Sequence, residues 1–172
     1  RPEIDLSASK FGWHAGASIR RFGDLRVGEG LTEAPSAYRE NAVDTKLQLK
    51  TGATGIFTAA YNGVFQYDVG RYDQVAQRGF DLYQFDPQTR QLWYARWETG
   101  SKLDWLKKLQ FTASFQNGLE GRQRQRTNNP VRIFEKDRVQ TLGLTAESLM
   151  KWIPNWESVT GFEYYHDWVA SE

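Results

Sequence analysis

Arg122, Arg124 and Arg126 alternate with Gln123 and Gln125, the densest run of chemically capable side chains in the sequence. In an extended strand successive side chains point to opposite faces, so these arginines share one face. A stack of guanidinium groups matches the paired oxygens of a carboxylate or phosphate, including the phosphates of lipopolysaccharide. The competing reading is the stem of a loop that carries charge for solubility. A second polar group, Arg71, Tyr72 and Asp73 with Arg78 close by, stands at the root of a long polar segment. The only histidines are His14 and His166. His166, beside Asp167, is placed to meet an incoming ligand or to fill a wall position; His14 is the weaker candidate.

Catalysis finds little support. Ser101, Asp104 and the histidines have no nucleophile–base spacing, and no glycine-rich loop precedes a helix. Glu29 and Glu33 lie in a polar loop. With no Cys there is no thiolate metal site, disulfide or cysteine nucleophile. Neither an enzyme nor a resident cofactor is expected. Basic and acidic residues nearly cancel, 22 against 21, which removes the electrostatic case for a nucleic-acid partner.

The elements that position these residues are strands. Along Ile56–Val69, Phe57, Ala59, Tyr61, Gly63, Phe65, Tyr67 and Val69 fall on one side. Thr58, Ala60, Asn62, Val64, Gln66 and Asp68 fall on the other. The run exceeds the usual soluble strand of about 5–6 residues. An aromatic face against an amide-rich face suits a barrel wall with lipid outside and water inside. Aromatics at 15% of 172 residues agree, and no apolar run is long enough for a spanning helix.

The same alternation predicts seven strands, at about 11–27, 38–51, 56–69, 91–100, 108–124, 138–152 and 156–169. The expected fold class is all-β: an antiparallel up-and-down meander, residues 1–172 forming one partial transmembrane β-barrel domain. Val43, Leu47, Leu49, Phe57, Ala59, Phe65, Phe111, Ala113, Phe115, Leu142 and Leu144 are expected to face outward. Lys46, Gln48, Asn62, Gln66, Gln116 and Glu147 are expected to face the lumen.

Connections alternate in length. Thr51–Gly55, Gly100–Lys107 and Ile153–Asn155 are short; Gly28–Ala37, Gly70–Arg90 and Gln125–Asp137 are longer and polar. That places all turns at one end and all long loops at the other, as in outer-membrane barrels. Trp97, Trp105, Trp152 and Trp156 gather near the turns, and Tyr67, Tyr72, Tyr165 and Trp168 near the loops. Two aromatic belts are what bilayer interfaces favour; cross-strand pairs in a soluble sandwich are the other reading.

Several segments resemble the early barrel strands of TonB-dependent outer-membrane receptors. Ser18–Gly28 (SIRRFGDLRVG) and Tyr38–Leu47 (YRENAVDTKL) are two of them. Asp68–Asp73 (DVGRYD) is similar to a Val-Pro-Arg-Tyr-Asp element of the family, with Gly70 in place of Pro. Phe85–Gln88 followed by Leu92–Arg96, and Gly161–Asp167, also fit.

The resemblance implies the Gram-negative outer membrane, a plugged barrel of about 22 strands, and TonB-driven uptake of an iron chelate (siderophore or haem) or similar nutrient. TonB would engage through the plug region, which these residues do not include. Seven strands would form an early part of such a barrel, with two open edges and no independent transport. The ligand-binding residues then expected are Arg71, Tyr72, Arg122, Arg124 and His166, with the bilayer and lipopolysaccharide as further partners. The rivals are a complete eight-stranded barrel with a structural or adhesive role, and a lipocalin-like carrier.

Overall fold

The computed structural model describes residues 1–101 and 103–172. Lys102, in the expected turn Gly100–Lys107, lies outside them. The strands are β1 (Glu3–Ala8), β2 (Phe11–Phe22), β3 (Leu25–Arg26), β4 (Thr32–Glu33), β5 (Tyr38–Thr51) and β6 (Gly55–Tyr67). They continue with β7 (Val69–Gly70), β8 (Phe80–Gly100), β9 (Leu106–Arg126), β10 (Arg132–Ile153) and β11 (Trp156–Ser171). An α-helix, α1 (Tyr72–Arg78), joins β7 to β8. The sheet runs β1-β2-β5-β6-β8-β9-β10-β11, with β7 beside β8 and β3–β4 a separate small pair. Each of these pairings is antiparallel. The fold is a meander of barrel-wall type.

Register shows why the alternation reads so cleanly. Directly opposed residues share a face. One row runs Phe11–Leu49–Phe57–Trp97–Phe111–Ala146–Phe162 across the sheet. The next runs Trp13–Leu47–Ala59–Ala95–Ala113–Leu144–Tyr164. A third joins Tyr61, Trp93, Phe115, Leu142 and His166. The opposite face carries rows such as Gln48–Thr58–Arg96–Thr112–Thr145–Glu163.

Little of this apolar surface is packed inside. Phe80 and Leu106 are the buried hydrophobic residues among those described, while Trp93, Trp97, Phe111, Leu144 and Phe162 remain exposed. A contiguous apolar face of this size needs a non-aqueous neighbour, and in a barrel wall that neighbour is lipid.

Four details differ from the sequence reading. Glu3–Ala8 forms an eighth principal strand; its Ile4, Leu6 and Ala8 continue the apolar rows. The stretch expected as a loop over Gly70–Arg90 is a helix of 7 residues followed by the first half of β8. Gln125–Asp137 is likewise the tips of β9 and β10 around a tight turn at 127–131. The cause is strand length: β8 and β9 have 21 residues and β10 has 22. About 9–11 tilted residues cross the hydrocarbon, so roughly half of each strand stands beyond it. Finally, Tyr165 sits opposite Gly143 on the polar face, so it does not join the outward belt.

The connections β1 to β2, β5 to β6, β8 to β9 and β10 to β11 share one end, and 23–37, 68–79 and 127–131 share the other. The segment 23–37 is tied down by Asp24, whose Oδ1 accepts the N–H groups of Ser36 (2.7 Å) and Ala37 (2.9 Å). It rests on Gly70, where a Cβ would meet the Pro35 carbonyl oxygen at 2.7 Å. The Gly70 N–H also donates to the Ala37 carbonyl at 3.4 Å. Glycine at this position therefore supplies both the room and the donor for this contact.

Candidate functional site

The candidate site is built where β8 and β9 rise past the apolar rows. On β9 the even-numbered side chains Gln116, Glu120, Arg122 and Arg124 lie on the polar face. Across the β8–β9 ladder, Arg126 opposes Phe80, Arg124 opposes Tyr83 and Arg122 opposes Phe85. The register skips at Phe80/Leu82 and at Phe85/Gln88, which brings each of these rings opposite an arginine. Phe80 and Tyr83 meet edge to face at 5.2 Å, and Tyr83 and Phe85 at 6.2 Å. The Arg126 guanidinium lies 4.8 Å over Phe80. The result is a ladder of rings beside a ladder of cations.

Glu135 closes the group from β10. It stands opposite Arg122 and accepts from Arg122 Nε at 2.6 Å and from Arg124 Nη2 at 2.7 Å. The hydrogen bond to Glu135 raises the Arg122 pKa further, keeping it charged. Two cations share one anion, so a positive charge is left over. The Arg124 Nε–H is buried and has no partner among the described residues.

Arg71 joins from the start of α1. Its Nε and Nη2 donate to the two Asp73 oxygens at 2.9 and 3.0 Å. Its guanidinium lies 5.7 Å from the centre of the Phe85 ring. The Arg71 hydrogen bond, opposed by desolvation and helped by a further hydrogen bond from Gln74, holds the Asp73 carboxyl down at about 2. Thus Arg71, Arg122 and Arg124 converge around Phe85 and Tyr83. Below them a concavity of about 720 Å³ on the polar face is lined by Gln66, Gln88, Arg90, Gln116, Glu120 and Asp137.

Tyr72 opens α1 and is half-buried. His166 lies apart from the arginines. It occupies the apolar face opposite Leu142, its ring parallel to Tyr164 at 6.5 Å and edge-on to Trp168 at 4.5 Å. His14 bridges Asp5 (2.8 Å) and Asp44 (3.0 Å) on the polar face near the other edge of the sheet. Among the described residues no group of three His, Cys, Asp or Glu could hold a metal ion.

Sequence reasoning missed Phe80, Tyr83, Phe85 and Glu135. Asn128, at φ 64°, marks the turn that folds β10 back on β9. A hairpin turning there would have paired Arg122 with Glu135.

No protein-family model matches the sequence, and a search of curated proteins finds no match. Among solved structures the chain is similar to one named "Copper transporter OprC", with a TM-score of 0.81 at 14% identity. The match covers 98% of this chain and 25% of the other. The chain has the fold of a β-barrel segment. It spans about a quarter of the length of the structure it matches.

Proposed function

We propose that this chain is part of the wall of a TonB-dependent type receptor in the Gram-negative outer membrane, taking up an anionic metal chelate or similar nutrient. The observation that carries the reading is the convergence of Arg71, Arg122 and Arg124 beside Tyr83 and Phe85, on the water-facing side of strands that stand beyond the lipid-facing band. Guanidinium groups donate in pairs to anionic oxygens, and the rings offer flat apolar faces to the body of a chelate. The strand path runs from β1 to β11 with no pairing of those two strands among the described residues. That favours a wall continued by further strands over a closed eight-stranded barrel. TonB would act through a plug held inside the complete barrel.

The similar structure is named for copper, and a bare cuprous ion prefers thiolate or thioether ligands. This segment contains no Cys and one Met, whereas its arginine group suits an anion. A chelated metal is therefore the better reading for this part of the barrel. The test is uptake of ferric chelates by cells carrying the full-length protein with Arg122→Ala and Arg124→Ala. Loss of uptake with an intact, surface-exposed barrel supports the reading. Unchanged uptake removes these arginines from the ligand path.

A further inference from the structure

The outer tip of β10 sorts its charges by face. Arg132, Phe134, Lys136 and Arg138 alternate with Ile133, Glu135 and Asp137. The register puts Glu135 opposite Arg122 and Asp137 opposite Glu120, so the acids belong to the polar inner face. Arg138 lies opposite Leu119, two residues along the same side from Gln140 and four from Leu142, so the cations belong to the lipid-facing side. Arg132, Lys136 and Arg138 are all exposed, and none forms an ion pair among the described residues. Their neighbours across β9 are Gln125, Gly121 and Leu119, which carry no charge. One acid, Glu172, lies across from Lys136 on the β11 side.

The height of these cations fits a headgroup. Trp168 stands opposite Gln140 at the upper edge of the apolar rows, and it is 47% exposed. Indole rings settle at the boundary between hydrocarbon and headgroups. With about 3.4 Å per residue and a tilt near 45°, Arg138 lies about 5 Å above that edge and Lys136 about 10 Å. That is the layer where lipid phosphates sit, and both side chains are long enough to reach sideways within it.

We propose that the outward face of β10 binds the phosphate-bearing headgroup of an anionic outer-leaflet lipid, through Arg138 and Lys136, with Arg132 one step further out. The acyl chains of the same lipid would lie on the apolar rows below, against Leu142 and Leu144. The site faces away from the vestibule and does not depend on which nutrient the receptor takes.

The test uses the full-length protein in nanodiscs of phosphatidylcholine with added lipid A, and mass spectrometry of the intact complex to read bound lipid A. A cation near a membrane surface contributes roughly fivefold, so Arg132→Gln, Lys136→Gln and Arg138→Gln together should weaken lipid A retention about a hundredfold. Lys136→Arg should retain it, and so should the inward control Arg122→Gln with Arg124→Gln. High salt should weaken retention by the unmodified protein. If the triple variant does not fold, judged by heat-modifiable mobility, Arg138→Gln alone carries the test with roughly a fivefold loss. Wild-type retention by a folded outward variant, or loss in the inward control instead, overturns the proposal.

Discussion

Glu135 and Arg122 face each other across the β9–β10 ladder at 2.6 Å, and the same carboxylate also holds Arg124. The carboxylate therefore fixes both guanidinium groups and at the same time occupies donors that an incoming anion would want. Replacing it separates these roles. Glu135→Gln should lower stability modestly, by about 1 kcal/mol, because the pair is partly exposed and screened. It should also strengthen binding of an anionic chelate by freeing positive charge. Unfolding in detergent and equilibrium binding to the full-length protein check the two effects; weaker binding would mean that Glu135 acts mainly as a positioning residue.

Gly121 faces the bulge of β8, and a Cβ there would stand 2.5 Å from the Asp86 carbonyl oxygen. That oxygen is backbone and cannot swing aside. Gly121→Ala should therefore displace the bulge and cost about 1–3 kcal/mol. Because the bulge sets Phe85 opposite Arg122, ligand affinity should fall with it. Gly12→Ala is the control, since nothing lies within 4 Å of the place its methyl group would take. Equal stability of the two variants would refute the packing argument.

How much of this was legible in the sequence follows from where each residue sits relative to lipid. Ile56–Val69 and Leu109–Gln116 read as strands because one face meets hydrocarbon and the other water, which enforces strict alternation. Phe80–Arg90 and Arg132–Asp137 stand beyond the hydrocarbon, so no apolar alternation is required there. Their charges imitate a loop, and the skips at Phe80/Leu82 and Phe85/Gln88 break the period as well. The arginine spacing was readable as a shared face; its partner Glu135 was not, since it depends on the turn at 127–131. Of the two readings of His166 its even number on β11 matches the wall position, with Tyr164 and Trp168, because proximity to the loop end says nothing about face.

The face assignment is tested by charge. Phe111 lies on the lipid side and is 46% exposed, while Thr112 lies on the polar side opposite Arg96 and Thr145. Phe111→Arg should cost about 2–4 kcal/mol in a bilayer, because its position is near the middle of the apolar rows. Thr112→Arg should cost far less. Equilibrium unfolding from lipid vesicles measures both, and equal penalties would show the faces reversed.

Gly70→Pro introduces the proline of the Val-Pro-Arg-Tyr-Asp element that this segment resembles, and here it should be harmful. The substitution removes the N–H that reaches the Ala37 carbonyl and places ring atoms against Pro35. The segment 23–37 should lift from β7 while the sheet below stays intact. Limited proteolysis on intact cells reads this directly: faster cleavage within 23–37 is expected, and unchanged cleavage would mean the segment is held by Asp24 alone.

Asp73 gives the site its acid limit. Its carboxyl is held at about 2, below its ordinary value of 3.8, chiefly by the Arg71 hydrogen bond. A lowered carboxylate pKa means that the contribution of the pair is complete above the unfolded value and is lost as pH falls toward the folded one. Arg71 should thus stay clamped beside Phe85 as pH falls past the ordinary value of 3.8, and be released as pH falls through about 2. Carboxyl NMR of the full-length protein in micelles should give an Asp73 midpoint near the lower value, and Arg71→Gln should return it toward the ordinary one. A midpoint at the ordinary value in the unmodified protein would show that Arg71 is free, and available to a ligand without first giving up a partner.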